Sequence, residues 1–190
     1  MIAPMKSPKG YLTFEEAESL VEAAFEPQHK LLLRFLWRTG ARVSEVLDIQ
    51  IKDINWSKGV VEITPLKKKV KTKRYVPIDK ASLDMARKYL KTRSSKSLYL
   101  FEGYHQGHMA RQTAYWIVRK TAESVGLEGI HPHSLRHSNA MYWIKKLGGS
   151  YETLRQIQMV LGHTSISTTA GYLNFSAEEV RSEYSKVFPD

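Results

Sequence analysis

Apolar residues recur at helical spacing through most of this chain and switch to alternation in one short stretch. Thr13-Phe14-Glu15-Glu16 opens the first helical run as a capping box, in which a threonine hydroxyl and a glutamate carboxylate each satisfy a free backbone amide. That run reaches about Phe25 and stops ahead of Pro27, because the residue before a proline disfavours the helical region. Leu31, Leu32, Leu33, Phe35, Leu36 and Trp37 are too dense for one amphipathic face, which predicts a largely buried second helix stopped at Gly40. A short third helix is predicted over residues 44–49. The β-branched runs at residues 59–64 (GVVEIT) and 74–78 (RYVPI) predict paired strands. Between them Lys67-Lys68-Lys69-Val70-Lys71-Thr72-Lys73 is too charged for a core and belongs at the tip of the hairpin. Helical spacing returns over 80–91, 110–124, 134–147, 151–161 and 177–187, with breaks at Gly126, Gly148 and Gly149. The expected fold is mainly α with a small antiparallel β-sheet, an α+β class.

Composition narrows the partners. A formal net charge of +10 on 190 residues favours a polyanion, and the length suits one well-cored domain. The absence of cysteine excludes disulfides, thiolate zinc sites and cysteine nucleophiles. No apolar run approaches the ~20 residues of a membrane span. Residues 1–10 read as a flexible lead-in without a signal-peptide core. A cytoplasmic protein with no membrane partner is expected.

The candidate chemistry is phosphate handling. Phosphodiester cleavage builds charge on non-bridging oxygens, and arginine meets it with a planar fork that stays protonated. Arg42 lies in Thr39-Gly40-Ala41-Arg42-Val43-Ser44-Glu45-Val46-Leu47, at the mouth of the third helix. Arg136 lies in His133-Ser134-Leu135-Arg136-His137, near the start of another. Either arginine alone reads as a solvated charge, and it is the two in their contexts that point to phosphate. His133 and His137 have the i, i+4 spacing of metal ligands, but Ser134 stands where a zincin motif has glutamate, and no acidic third ligand is near. His137 suits a packing or hydrogen-bonding role. Tyr172 is one of ten tyrosines, and its setting, Leu161-Gly162-His163 followed by a small polar turn and Ser167-Thr168-Thr169-Ala170-Gly171-Tyr172, sets it apart. A phenol with a pKa near ~10 needs cationic neighbours and a base to act as a nucleophile at neutral pH.

In this order the motifs resemble the tyrosine recombinases, also called the phage integrase family, from Tyr11 onward. The resemblance implies the catalytic-domain fold of these DNA breaking-rejoining enzymes over residues 11–175, and site-specific recombination of double-stranded DNA. It makes Tyr172 the nucleophile that forms a 3′-phosphotyrosine, and Arg42 and Arg136 the clamp on the phosphate oxygens. His133 assists proton transfer and His163 donates a hydrogen bond to the phosphate. Glu45 matches an acidic position that orients the site, with a solvent-facing role as the alternative. The family's general-acid lysine maps to Lys69, counting back from Val76-Pro77; Lys67 and Lys71 are the alternatives. Lys67, Lys68, Lys71, Lys73 and Arg111 are the expected contacts to the DNA backbone. The scheme requires no metal, nucleotide or other cofactor.

Most members carry a further N-terminal domain, whereas this chain begins almost at the catalytic one. A fragment and a short single-domain recombinase both fit. Residues 176–190 are expected to form a tail helix that docks on a neighbouring protomer in a synaptic tetramer, or packs in cis. Accessory DNA-bending proteins and a nucleoid location follow from the same resemblance. The rival readings are a type IB topoisomerase that relaxes DNA without site choice, and a basic DNA-binding protein without activity.

Overall fold

The computed structural model describes residues 5–6, 10–65 and 73–162. Its hub is a helix buried almost all round. The first helix, α1 (Phe14–Ala23), starts at the expected box, with Thr13 Oγ1 accepting from the Glu16 amide at 3.2 Å and Glu16 Oε2 accepting from the Thr13 amide at 2.7 Å. The hub, α2 (Pro27–Thr39), begins on a proline, which is pre-set for the first helical position because the missing N–H would have no partner there. Leu31, Leu32, Leu33, Phe35, Leu36 and Trp37 are all sealed from solvent. Arg34 is buried with them because its guanidinium is fully engaged, with Glu18 at 2.6 Å, Asp79 at 3.0 Å and Ser82 Oγ at 3.0 Å.

After α2 come α3 (Val43–Leu47), a single 3-10 turn at Ile51–Asp53, and an antiparallel sheet. The sheet has three strands rather than the two expected, in the order β2 (Ile54–Asn55), β3 (Val60–Ile63), β4 (Arg74–Pro77). A strand of two residues is too short to show alternation, so β2 was invisible to periodicity. Val61, Ile63 and Val76 point inward from the pleat and are buried. The remaining helices are α4 (Lys80–Thr92), α5 (Arg111–Ser124), α6 (Pro132–Leu147) and α7 (Tyr151–Leu161). Within the segment read as a lead-in, β1 (Met5–Lys6) pairs in parallel with β5 (Leu127–Glu128), a ladder that local sequence did not announce.

Helices α1, α4 and α6 pack around α2, and α7 packs against α6 and β4. Asn139 on α6 locks the hub from below, donating through Nδ2 to the Trp37 carbonyl at 2.9 Å and the Arg38 carbonyl at 3.2 Å. These are carbonyls of the last helical turn, which have no intrahelical partner. The result brings the C-terminal end of α2, the N-terminal ends of α3 and α6, and the C-terminal end of α7 to one place. Among the described residues no helix is long and apolar enough to cross a membrane. The 176–190 tail helix lies outside the described residues.

Candidate active site

Where those helix ends meet there is an open pocket of about 220 Å³ lined by Arg42, Arg111, Tyr115, His133 and Arg136, together with residues 41, 43, 44 and 132. Among the described residues no carboxylate lines it. A cleft walled by three guanidiniums and an imidazole focuses positive potential, the condition for holding a phosphodiester.

Local sequence places Arg42, and long-range bonds place Arg136. Gly40 terminates α2 in the left-handed region, φ 58°, and turns the chain so that Arg42 becomes the N-cap of α3. Glu45 then reaches back: its Oε2 accepts from the Arg42 amide at 2.9 Å and its Oε1 from Arg42 Nη1 at 3.2 Å. Glu45 is therefore buried, at 3% exposure, and does not face solvent. Burial by itself would raise its carboxyl pKa, but the bonds and charge of Arg74, with the amide and charge of Arg42, outweigh it and hold the group below its usual value. Such a depressed carboxylate stabilises the fold above its unfolded pKa, and the stabilisation disappears as pH falls through the folded one.

Arg136, in the second turn of α6, is 2% exposed, and its Nη1 donates to the Gly40 carbonyl at 2.8 Å and the Leu161 carbonyl at 2.9 Å. Its position is thus tied to the ends of α2 and α7 at once. His133 stands one turn earlier on the pocket rim, with the His131 ring at 6.4 Å. Loss of solvent around the His133 ring, then the charges of Arg136, His131 and Arg42, push its pKa down. That direction favours the neutral form of the imidazole. A histidine NMR titration should give His133 a midpoint below the ordinary 6.5. A midpoint at or above that value would contradict the expected direction, and one well above neutral pH would remove His133 as an acceptor. His137 is turned away, its ring 5.1 Å from that of Tyr11, the packing role its position suggested.

Arg111 sits at the first position of α5, donating to the Tyr115 hydroxyl at 3.2 Å with its guanidinium over the ring. Lys73 lies beside β4 and pairs with Glu62, an exposed contact of the kind that water and salt screen. Lys67, Lys68, Lys69, Lys71, His163 and Tyr172 lie outside the described residues.

One residue of this network was not foreseen. Arg74 of β4 forms a bidentate pair with Glu45, Nη2 to Oε2 at 2.6 Å and Nη1 to Oε1 at 3.3 Å, and donates through Nε to the Val160 carbonyl at 2.9 Å. An arginine beside a lysine-rich hairpin reads as one more surface charge. Its long-range partners on α3 and α7 leave no local trace.

Comparison with known proteins identifies the family and the fold. The description "Phage integrase family" belongs to the family model that matches residues 10–179. The tyrosine recombinase XerA of Pyrococcus horikoshii is 33% identical over 187 residues, covering 97% of this chain and 63% of that protein. The crystal structure of XerA recombinase superposes with a TM-score of 0.78 at 26% identity, covering 95% of this chain and 65% of that one. XerH site-specific recombinase, in a pre-cleavage complex with its difH substrate, shares the fold at a TM-score of 0.76 and 23% identity, over 100% of this chain and 57% of that one. The architecture is that of the tyrosine recombinase catalytic domain. The chain belongs to the phage integrase family, and it spans a little under two thirds of the length of these relatives.

Proposed function

We propose that this chain breaks and rejoins double-stranded DNA at a specific site through a 3′-phosphotyrosine on Tyr172. The observation that carries the reading is the pocket, in which Arg42 meets His133 and Arg136 from a distant part of the sequence. In the reaction Tyr172 Oη attacks the scissile phosphorus, a P–O bond to tyrosine forms, and the bond to the 5′-oxygen breaks. His133 takes the phenolic proton. Lys69 gives a proton to the departing 5′-oxygen, and Lys67 or Lys71 would serve by the same chemistry. Arg42 and Arg136 stabilise the charge that grows on the non-bridging oxygens, with His163 donating a further bond. Loss of solvent, then the charges of Arg136, His131 and Arg42, depress His133; a bound phosphate offsets the two arginines, which helps the imidazole keep the proton it takes from Tyr172. The phosphotyrosine conserves the energy of the cleaved bond, and a free 5′-hydroxyl reverses the step without metal or nucleotide.

Lys67, Lys68, Lys71, Lys73 and Arg111 follow the DNA backbone in this scheme, so affinity falls steeply with salt. XerH is bound to its difH substrate, which supports duplex DNA with a defined site as the partner here. Strand exchange needs paired sites and hence several protomers, with the 176–190 tail linking neighbours and DNA-bending proteins assisting assembly.

The test is covalent trapping. The 190-residue chain is mixed with supercoiled DNA carrying random inserts and with nicked duplexes, in EDTA, and denatured in detergent. Adducts whose DNA ends cluster at one sequence, with the nucleotide mapped to Tyr172 by peptide mass spectrometry, are the expected result. Ends scattered over all sequences would indicate a relaxing enzyme without site choice. DNA binding without any adduct would indicate a binding protein and overturn the catalytic reading.

A further inference from the structure

The end of α7 is held by arginines in succession. The carbonyls of Val160, Leu161 and Gly162 accept from Arg74 at 2.9 Å, Arg136 at 2.9 Å and Arg42 at 3.4 Å. Carbonyls of a last helical turn have no intrahelical partner, and cationic side chains there also meet the negative end of the helix dipole. Two of these arginines line the phosphate pocket, and the third does not. Arg74 spends Nε on Val160 and both Nη atoms on Glu45. It lies flat on the α7 cap: a Cβ built on Gly162, itself at φ 70°, would come within 2.9 Å of Arg74 Cζ. Its side chain is 12% exposed and that of Glu45 is 2% exposed, so the pair is shielded from solvent screening.

We propose that Arg74 is a positioning residue of the active site, fixing through Glu45 the backbone and guanidinium of Arg42 and through Val160 the end of α7 that leads into His163. The proposal rests on the phosphotyrosine chemistry above and assigns Arg74 no contact with DNA. One planar fork joins the strand that leaves the lysine hairpin, the helix that presents Arg42, and the helix that precedes His163. The geometry requires arginine. A lysine in its place can neutralise Glu45, but a single ammonium does not bridge that carboxylate and the Val160 carbonyl together.

The experiment compares wild type, Arg74→Lys and Arg74→Ala in two measurements. The first is hydrogen exchange and NMR of the Arg42 amide, which donates to Glu45, in DNA-free protein well below its melting temperature. The second is single-turnover adduct formation, alongside non-covalent affinity, on a nicked duplex of the sequence wild type selects. Arg74→Lys should keep the melting temperature and hold affinity within about threefold, yet slow adduct formation about tenfold; Arg74→Ala should slow it about 100-fold, the scale of a displaced catalytic group. The Arg42 amide should lose protection in both variants, more so in Arg74→Ala. A residue serving only stability would shift melting and leave the Arg42 amide and the Arg74→Lys rate unchanged, which would overturn the proposal. If wild type forms no adduct but the Arg42 amide responds as described, the positioning stands and the phosphotyrosine reading falls.

Discussion

Arg136→Ala should abolish covalent strand cleavage, with a rate loss of roughly 10³-fold or more, since it removes a charged, double-donor contact and even one fixed donor at a developing oxyanion is worth 10²–10³. The expectation rests on how the side chain is held. Arg136 is sealed at 2% exposure, and its Nη1 is anchored to the Gly40 and Leu161 carbonyls, so the guanidinium meets the pocket already oriented. Preorganisation of this kind costs nothing at the moment of reaction. The same anchoring gives the substitution a stability cost, because each buried carbonyl left without its donor loses about 1–3 kcal/mol. Arg136→Lys is the sharper comparison. It keeps the charge, but one ammonium does not reach both carbonyls and a phosphate, so roughly 10²-fold of rate should still be lost. A further readout links the variant to its neighbour. The Arg136 charge is, after loss of solvent, the leading cause that depresses His133, so the His133 midpoint should rise in Arg136→Ala. Single-turnover adduct formation and urea unfolding measure the two losses. Arg136→Ala retaining a tenth of wild-type cleavage would break the assignment of Arg136 to the phosphate clamp.

Which parts of this site were legible depended on whether the physics was local. The Thr13–Glu16 box is closed within one turn, and it forms as read. The placement of Arg42 after Gly40 is also local, because a glycine stop followed by a new helix leaves an N-cap side chain at the rim. Glu45 was half legible. The family resemblance suggested an orienting role with a solvent-facing one as the alternative, but only the fold shows it buried, because the cation that makes burial tolerable comes from β4. Arg74, Asn139 and the Arg34 cluster were missed for that reason: their partners lie far off in sequence, and polar side chains in a core carry no periodic signature. Pro27 shows a second kind of failure. It was read as the end of one helix, whereas it is also the first residue of the next.

Gly40→Ala should destabilise the domain by roughly 2–5 kcal/mol, the sum of a left-handed backbone penalty of about 1–2 and an overpacking cost of about 1–3. Gly40 sits at φ 58°, and a Cβ there would lie 2.5 Å from Leu161 Cδ2 and 2.6 Å from Asn139 Oδ1. Neither neighbour has room to retreat. Asn139 is held by its bonds to the Trp37 and Arg38 carbonyls, and Leu161 is a fully buried residue of the α6–α7 cluster. The methyl must therefore push α6 and α7 away from the end of α2, and those helices carry Arg136 and the segment leading to His163. The Gly40 carbonyl is itself an acceptor for Arg136, so displacement at this residue moves the clamp directly. Stability and cleavage should consequently fall together, and cleavage should stay about 10-fold or more below wild type at temperatures where the variant is fully folded, as expected when a catalytic group is misplaced. Urea unfolding paired with single-turnover cleavage in the cold separates the two effects. A variant that melts lower but cleaves at the wild-type rate when folded would show that the α2 end supports the core without setting the geometry of the arginine clamp.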